Sequence, residues 1–524
     1  MHQPQENKLP VFQILVFSSL VVLALFLWQG HKGFSLWDEG FLWYGVQRVM
    51  LGEVPIRDFM AYDPGRYYWS ATLMWLWGDN GIVALRGSLA VFQVMGLFVA
   101  LLLIARNTRT LNFPYLLLSA ITLVVWMYPR HKLFDVSLSI LLIGVLAFLV
   151  QNPTRRRYFF TGLCVGFVAV FGRNHGVYGV LGSFGVMIWL TIRQADKLEF
   201  IKVAMLWAVG VAIGYIPILL MILLVPGFAP AFWESLLFFL EIKATNLTLP
   251  VPWPWRLEFD SVSIGKTIRG VLVGLFFIAI VVFGVLAIIW VTRQKFHKRA
   301  VPSALVATAF LALPYAHYAY SRADVSHLAK SIFPLLVGCL VLLSTKPARI
   351  KWPLALLLCG SSLLVMVHFH PAWQCRPSKQ CVSIVISDTK VTVDARTASE
   401  ISLLKKLVAK YAADGQSFIT TPFWPGAYPL FERKSPMWEI YALFSRSESF
   451  QQLEIERIKV TNPGFILIFD FPLDGREELR FCNTHPLIHK YISDNFEMLH
   501  DSPNLIYQIY TVKKTILSEH SGSP

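Results

Sequence analysis

Charge is scarce in this chain. Only 15% of its 524 residues are Asp, Glu, Lys or Arg, while 55% are hydrophobic. An ordinary soluble enzyme is excluded, since such proteins carry roughly 25% charged residues. Acids are the scarcer sign, 32 against 47 basic residues, for a formal charge of +15. A nucleic-acid binder would gather its bases on one solvated face. Here they fall in short clusters between apolar runs, which excludes nucleic acid as a partner and reads as membrane orientation. Internal repeats and low-complexity tracts are absent, and no small-residue cleavage site follows the first apolar run. That run is expected to remain as an anchor rather than leave as a secretory peptide. Cysteines number only six. Cys164, Cys339 and Cys359 lie in apolar runs and read as packing, and Cys482 lies beyond the last run. Cys375 and Cys381 are close enough for a local disulfide, or could join His368 and His370 at a zinc ion, although that spacing fits no common finger.

What the chain has in abundance is apolar runs of membrane length, at about 20 residues for each helical crossing. They lie near 11–28, 82–105, 111–128, 133–150, 158–172, 176–192, 200–225, 270–291, 301–317, 331–345 and 352–369, about eleven spans in all. Basic clusters occupy every second connection: Arg106 and Arg109; Arg155–Arg157; Arg193, Lys197 and Lys202; Arg293, Lys295, Lys298 and Arg299; Lys346, Arg349 and Lys351. By the positive-inside rule these connections, and the amino terminus, are cytoplasmic. The alternate set then faces out, including the loop 29–81, the turn 129–132, the bend 173–175, the loop 226–269, the segment 318–330 and everything after His370.

Within the outward loop 226–269, the aromatic, proline-rich PVPWPW (Pro250–Trp255) suits a pocket cap or the headgroup layer. Gly265-Lys266-Thr267 is rejected as a phosphate loop, because Asp260 stands where the first glycine belongs and no strand precedes it. After His370 the composition becomes that of a soluble protein. Helices are expected at 398–412 and 448–460 and strands at 417–421, 465–470 and 504–512. The expected architecture is a multi-pass α-helical membrane domain, 1–370, followed by an extracytoplasmic α/β domain, 371–524.

The stretch Leu36–Trp69, LWDEGFLWYGVQRVMLGEVPIRDFMAYDPGRYYW, sits in a loop too long to be a mere connection. Asp38 and Glu39 begin what reads as a short amphipathic helix resting on the membrane surface, with Asp38 either capping that helix or acting chemically. Asp63-Pro64-Gly65-Arg66 forms a turn into the next helix, with Asp63 as turn former or second acid of a site. Arg86 lies in an apolar run, where a guanidinium needs a partner or must snorkel. Further cations fall on the same predicted side: Arg130, His131 and Lys132; Arg173 and His175 in FGRNHG; and Arg322, Asp324, His327 and Lys330 in SRADVSHLAK. Acids at the lip of a bilayer beside scattered cations suit transfer of a sugar from a lipid phosphate. That chemistry needs a base for the acceptor hydroxyl and cations for the leaving phosphate.

WDEG (Trp37–Gly40), followed by a tract ending YDPGRYYW (Tyr62–Trp69), resembles the first outer loop of the GT-C membrane glycosyltransferases, in particular the protein O-mannosyltransferases and the lipid A aminoarabinose transferase. The resemblance implies an inverting transferase that uses a polyprenyl-phosphate-linked sugar. Asp38 would be the general base, Glu39 and Asp63 further acids of the site, and a lipid, glycan or protein the acceptor. Arg66 would stand in for a lysine that the family places between the second acid and its proline. Together with Arg86, Arg130, Lys132, Arg173, His175, Arg322 and His327 it would hold the donor phosphate. Members of the family differ over a divalent metal, and no spacing here requires one. The enzyme would sit in the inner membrane and work at its outer face. Two other readings share the spans: a flippase or transporter of lipid-linked glycans, and a glycan ligase or polymerase.

Overall fold

The computed structural model describes residues 11–107, 112–192, 197–242, 246–257, 263–376, 380–502 and 504–513. Residues 1–10, and Arg109 and Arg193 of the basic clusters above, lie outside the described residues. The chain divides into two compact units. The first comprises Met1–Lys32, Tyr62–Asp79 and Val83–Lys379; the second comprises Gly33–Ala61, Asn80–Ile82 and Gln380–Pro524.

The first unit is a helical membrane assembly. Each predicted span is helical, for example Val11–Gln29, Ile82–Ala105, Leu133–Gln151, Ile264–Phe296 and Ala348–Met366. Among the described residues, five helices are long and apolar enough to cross a membrane, and seven if each of two bent pairs counts as one span. The bends measure 53° between Leu198–Gly214 and Ile216–Leu224, and 51° between Val325–Ser331 and Phe333–Ser344. In each pair a proline, Pro217 or Pro334, opens the second helix. It cannot donate to the preceding turn, which is why the predicted span 200–225 breaks at Pro217; Val325–Ser331, expected in the outward segment 318–330, is instead a short helix that meets the predicted span 331–345 at Pro334. The remaining predicted spans form Phe113–Trp126, Arg155–Phe171, Arg173–Thr191 and Ser303–Ser321. These are shorter or carry more polar side chains than the helices above.

Helices Arg155–Phe171 and Lys197–Gly214 show how tightly this unit packs. A methyl group at Gly166 would lie 2.1 Å from the Val211 carbonyl oxygen, and one at Gly214 would lie 2.0 Å from that of Leu163. Gly162 and Gly166, and Gly210 and Gly214, keep the four-residue spacing that lets membrane helices meet backbone to backbone.

The second unit holds a four-stranded mixed sheet. Ile419–Thr421 runs parallel to Phe465–Phe469, which pairs antiparallel with Tyr507–Val512, and Phe496–Met498 closes the edge. Helices Ala395–Tyr411 and Glu448–Thr461 confirm the two expected from periodicity. A hairpin, Cys381–Ile386 with Thr389–Asp394, was not anticipated. Cys375 and Cys381 are each disulfide-bonded, and no group of three or more His, Cys, Asp or Glu side chains placed to hold a metal ion occurs among the described residues. The zinc alternative falls with them: His370 instead bonds Gln29 and the Val125 carbonyl.

The start of the long first loop also belongs to this unit. Helix Asp38–Met50 is buried from Glu39 through Gln47, which corrects the expectation of an amphipathic helix lying on a surface. Its Gly40 lies against the backbone of Gly426, where an added methyl would come 2.3 Å from the Gly426 Cα. Trp37 stacks on Phe423 with ring centroids 4.2 Å apart, and the Gly426 N–H donates to the Leu36 carbonyl at 2.8 Å. Trp438 holds residues 56–60, donating from its indole to the Ile56 carbonyl and accepting at its own carbonyl from the Met60 N–H. Residues 36–60 are therefore packed into the core of the second unit, while Tyr62–Trp69 belongs to the first.

Candidate active site

Asp38 is the first residue of the buried helix, and Trp37 occupies the cap position without a side-chain cap bond. The carboxylate is half-buried and accepts from the Tyr441 hydroxyl at 3.4 Å. At a helix N-terminus, unpaired backbone N–H groups favour a negative side chain. Glu39 is 3% exposed and accepts the Ser35 N–H at 3.4 Å, so it tethers the turn entering the helix. Glu53, further along this unit, would be raised by burial, but hydrogen bonds from Arg48 and Lys434 outweigh that and hold it below the usual carboxylate range.

The membrane unit gathers most of the other predicted residues. Asp63 precedes helix Pro64–Trp77 yet makes no side-chain cap to it. It caps a different helix: its two oxygens take the backbone N–H of Arg173, at 3.0 Å, and the Arg173 Nε, at 2.6 Å. Arg173 opens helix Arg173–Thr191, so one acid satisfies both an orphan helical donor and the charge beside it. The same guanidinium donates to Ser235 Oγ at 3.1 Å and lies over the Phe232 ring.

Beside this pair lies a buried relay. Arg66 Nη1 and Nη2 bond Asp135 Oδ2 and Oδ1 at 2.8 and 2.9 Å, and its Nε donates to the carbonyl of Phe171, the last residue of a helix. Asp135 Oδ1 also meets His175 Nε2 at 2.8 Å, and His175 Nδ1 meets the Tyr315 hydroxyl at 2.7 Å. Arg66, Asp135 and His175 are all less than 5% exposed.

A third group surrounds Asp324. It caps helix Val325–Ser331 through the His327 N–H, holds His327 Nδ1 at 2.9 Å, and accepts from Arg322 Nε at 3.0 Å. Two aromatic rings join the groups. Lys132 Nζ lies 3.6 Å from the centroid of Tyr62, and the Arg66 guanidinium 5.3 Å from the same ring. Lys330 lies 5.3 Å from the Tyr318 centroid, and His175 and His327 each meet that ring at 5.8 Å. His327 also lies within electrostatic range of Lys132. Four segments far apart in sequence thus converge: Tyr62–Arg66, Lys132–Asp135, Arg173–His175 and Tyr315–Lys330.

Two predicted phosphate ligands stand elsewhere. Arg86 donates to the Gly30 carbonyl at 2.6 Å, and Arg130 to the carbonyls of Gln29 and Lys32 at 2.9 and 2.8 Å. Both satisfy the C-terminal end of the first helix, whose last carbonyls lack helical partners. Arg66 and His175 are each paired with Asp135, as Arg173 is with Asp63 and Arg322 with Asp324. The sequence reading missed Asp135, Tyr315 and Tyr318. Asp135 had a signal: it is a lone acid at the start of an apolar run, where an ionisable group demands a partner.

No protein-family model matches the chain, and no curated protein matches it. Among solved structures it is similar to the oligosaccharyltransferase of Archaeoglobus fulgidus, at a TM-score of 0.47 and 10% identity over 98% of this chain and 76% of that one. It is also similar to ArnT from Cupriavidus metallidurans bound to undecaprenyl phosphate, at 0.49 and 11% identity over 97% and 99% of the two chains. A further structure of the A. fulgidus enzyme, AglB with an inhibitory peptide and a dolichol phosphate, overlaps at 0.45 with 11% identity over 98% and 76%.

Proposed function

We propose that this protein is a membrane glycosyltransferase that takes a sugar from a polyprenyl-phosphate-linked donor and delivers it, with inversion, to a hydroxyl of a lipid, glycan or protein acceptor at the outer face of the inner membrane. The observation that carries the reading is the convergence of the cations Lys132, Arg173 and Lys330 with Asp63, and with His327 beside them, in a unit built of membrane helices. Cations gathered at the ends of spans suit a phosphate whose tail stays in lipid. In the proposed step Asp38 takes the proton of the acceptor hydroxyl. The freed oxygen attacks the anomeric carbon from the face opposite the donor phosphate, and the carbon–oxygen bond to phosphate breaks. Polyprenyl phosphate leaves with its charge offset by Lys132, Lys330 and Arg322. Asp63 holds Arg173 in place, and Glu39 orders the turn before Asp38.

The experiment is Asp38→Asn in cells that otherwise lack the protein, with cell-envelope glycans compared across wild type, variant and empty strain. Loss of one glycan class with normal membrane insertion of the variant supports the proposal. Unchanged glycans in the empty strain remove it. The two broken helix pairs favour a second reading, translocation of a lipid-linked sugar, because bent spans commonly border transport sites. Reconstitution separates the two: a translocator moves a labelled lipid-linked sugar between leaflets whether position 38 is Asp or Asn.

A further inference from the structure

Helix Ile264–Phe296 runs for 33 residues, about 50 Å at 1.5 Å per residue, well beyond a hydrocarbon core of roughly 30 Å. An apolar helix of that length carries its end turns into the headgroup layer. Its first turns bear Lys266, exposed, and Arg269, half-exposed. Among the described residues neither has a carboxylate partner. Both line a cavity of about 320 Å³ whose walls are completed by Pro252, Val273, Val325 and Phe369, with Asp324 at one side. The Pro252–Pro254 strip comes close enough to form a wall because residue 274 is glycine: a methyl there would meet the Pro252 carbonyl oxygen at 2.5 Å. The proline- and tryptophan-rich segment thus borders a pocket, and the stacked rings of Trp253 and Trp255, 5.2 Å apart, place interfacial aromatics beside it.

The charges facing the space are two cations and one acid. Asp324 is already engaged by Arg322 and His327, so its negative charge is offset where it meets the cavity. A cationic mouth over apolar walls at the membrane boundary matches a ligand with an anionic head and a hydrocarbon tail. We propose that this cavity binds the phosphate head of a membrane lipid, with Lys266 and Arg269 as its ligands and Val273, Val325 and Phe369 against the first carbons of the tail. The cavity borders the Arg322–His327 group through Asp324, but its two cations, Lys266 and Arg269, are not among the residues assigned to the donor phosphate, and the proposal stands whether or not the chain transfers sugars. Gly265-Lys266-Thr267 thereby contributes a phosphate-binding lysine without being a phosphate loop.

The test uses the full-length protein in mild detergent, with dioleoylphosphatidylglycerol as probe and retention measured by native mass spectrometry. Wild type should bind it with saturation, and Lys266→Ala/Arg269→Ala should weaken binding about 30-fold, which is about 2 kcal/mol for two interfacial cations. Lys266→Arg/Arg269→Lys should retain binding, and the melting temperature of all variants should match wild type, since both side chains lie near the start of an exposed turn. Dioleoylphosphatidylcholine, whose phosphate charge is cancelled within its own head, should bind more weakly than phosphatidylglycerol. Equal lipid binding by the double alanine variant would overturn the proposal. Displacement of the lipid by equimolar inorganic phosphate would also overturn it, by showing a site for the free anion rather than for an amphiphile.

Discussion

Asp135→Asn should be among the most damaging single changes in the membrane unit. One carboxylate there serves three donors: Arg66 Nη1 and Nη2, at 2.8 and 2.9 Å, and His175 Nε2, at 2.8 Å. An asparagine offers one oxygen and turns an NH₂ toward groups that are themselves donors. It also leaves Arg66, about 4% exposed, without its counter-charge. Removing one partner of a buried pair typically costs about 3–5 kcal/mol, because the remaining charge is stranded. Against a total stability of roughly 5–15 kcal/mol that is a large share. Replacing both partners with apolar residues of similar size, Arg66→Met with Asp135→Leu, strands neither charge. The double variant should therefore be less damaged than the sum of its singles, with a coupling of about 2–3 kcal/mol. Equilibrium denaturation of the purified chain in mild detergent, for the four members of the cycle, measures this. Strict additivity, or an Asp135→Asn variant within about 0.5 kcal/mol of wild type, would show that the relay is not a buried ion pair in solution.

Gly166→Leu forces a side chain into the Val211 carbonyl, 2.1 Å from where its Cβ would sit, and overpacking of this kind costs about 1–3 kcal/mol or more. A lower melting temperature in detergent, with Gly265→Leu as the harmless control in open space, checks it. Glu454 gives the second unit a pH dependence. Burial, with Glu439 adding to it against Arg457, pushes its carboxyl up to about 7. The folded state holds this proton more tightly than the unfolded chain, so the stabilisation is complete below the unfolded value of about 4.5 and is lost as pH rises toward 7. The loss is about 3 kcal/mol at most. Melting between pH 5 and 7.5 should show the decline, and Glu454→Gln should flatten it. Asp63→Asn should reduce transfer by at least about tenfold through loosened positioning of Arg173, whereas Arg86→Lys, at a backbone carbonyl away from the cluster, should leave turnover within about twofold. Initial rates of polyprenyl phosphate release measure both.

How much of this was legible beforehand differs from residue to residue. Local composition was enough to mark eleven apolar runs, and each became a helix, because a long apolar segment has no other way to satisfy its backbone in lipid. It also marked Arg173, His175, Asp324 and His327, since charges between apolar runs stand out. Even the break within the span 200–225 was written locally, in Pro217, though run length alone concealed it.

Pairing was not legible. Arg66 finds Asp135 across 69 residues, and Asp63 finds Arg173 across 110, because each buried charge takes whichever opposite group the packing delivers. The same holds for Asp38–Met50, which reads as a surface helix until Gly40 is seen against Gly426 and Trp37 against Phe423. The sequence by itself determined the solvent each segment prefers and the helices that follow from it. Which face met which, and so which cations were spent on carboxylates and carbonyls and which lined a cavity, was decided only by tertiary packing. Close packing and ion pairing act between residues far apart in the chain, and they leave no periodic trace in either partner.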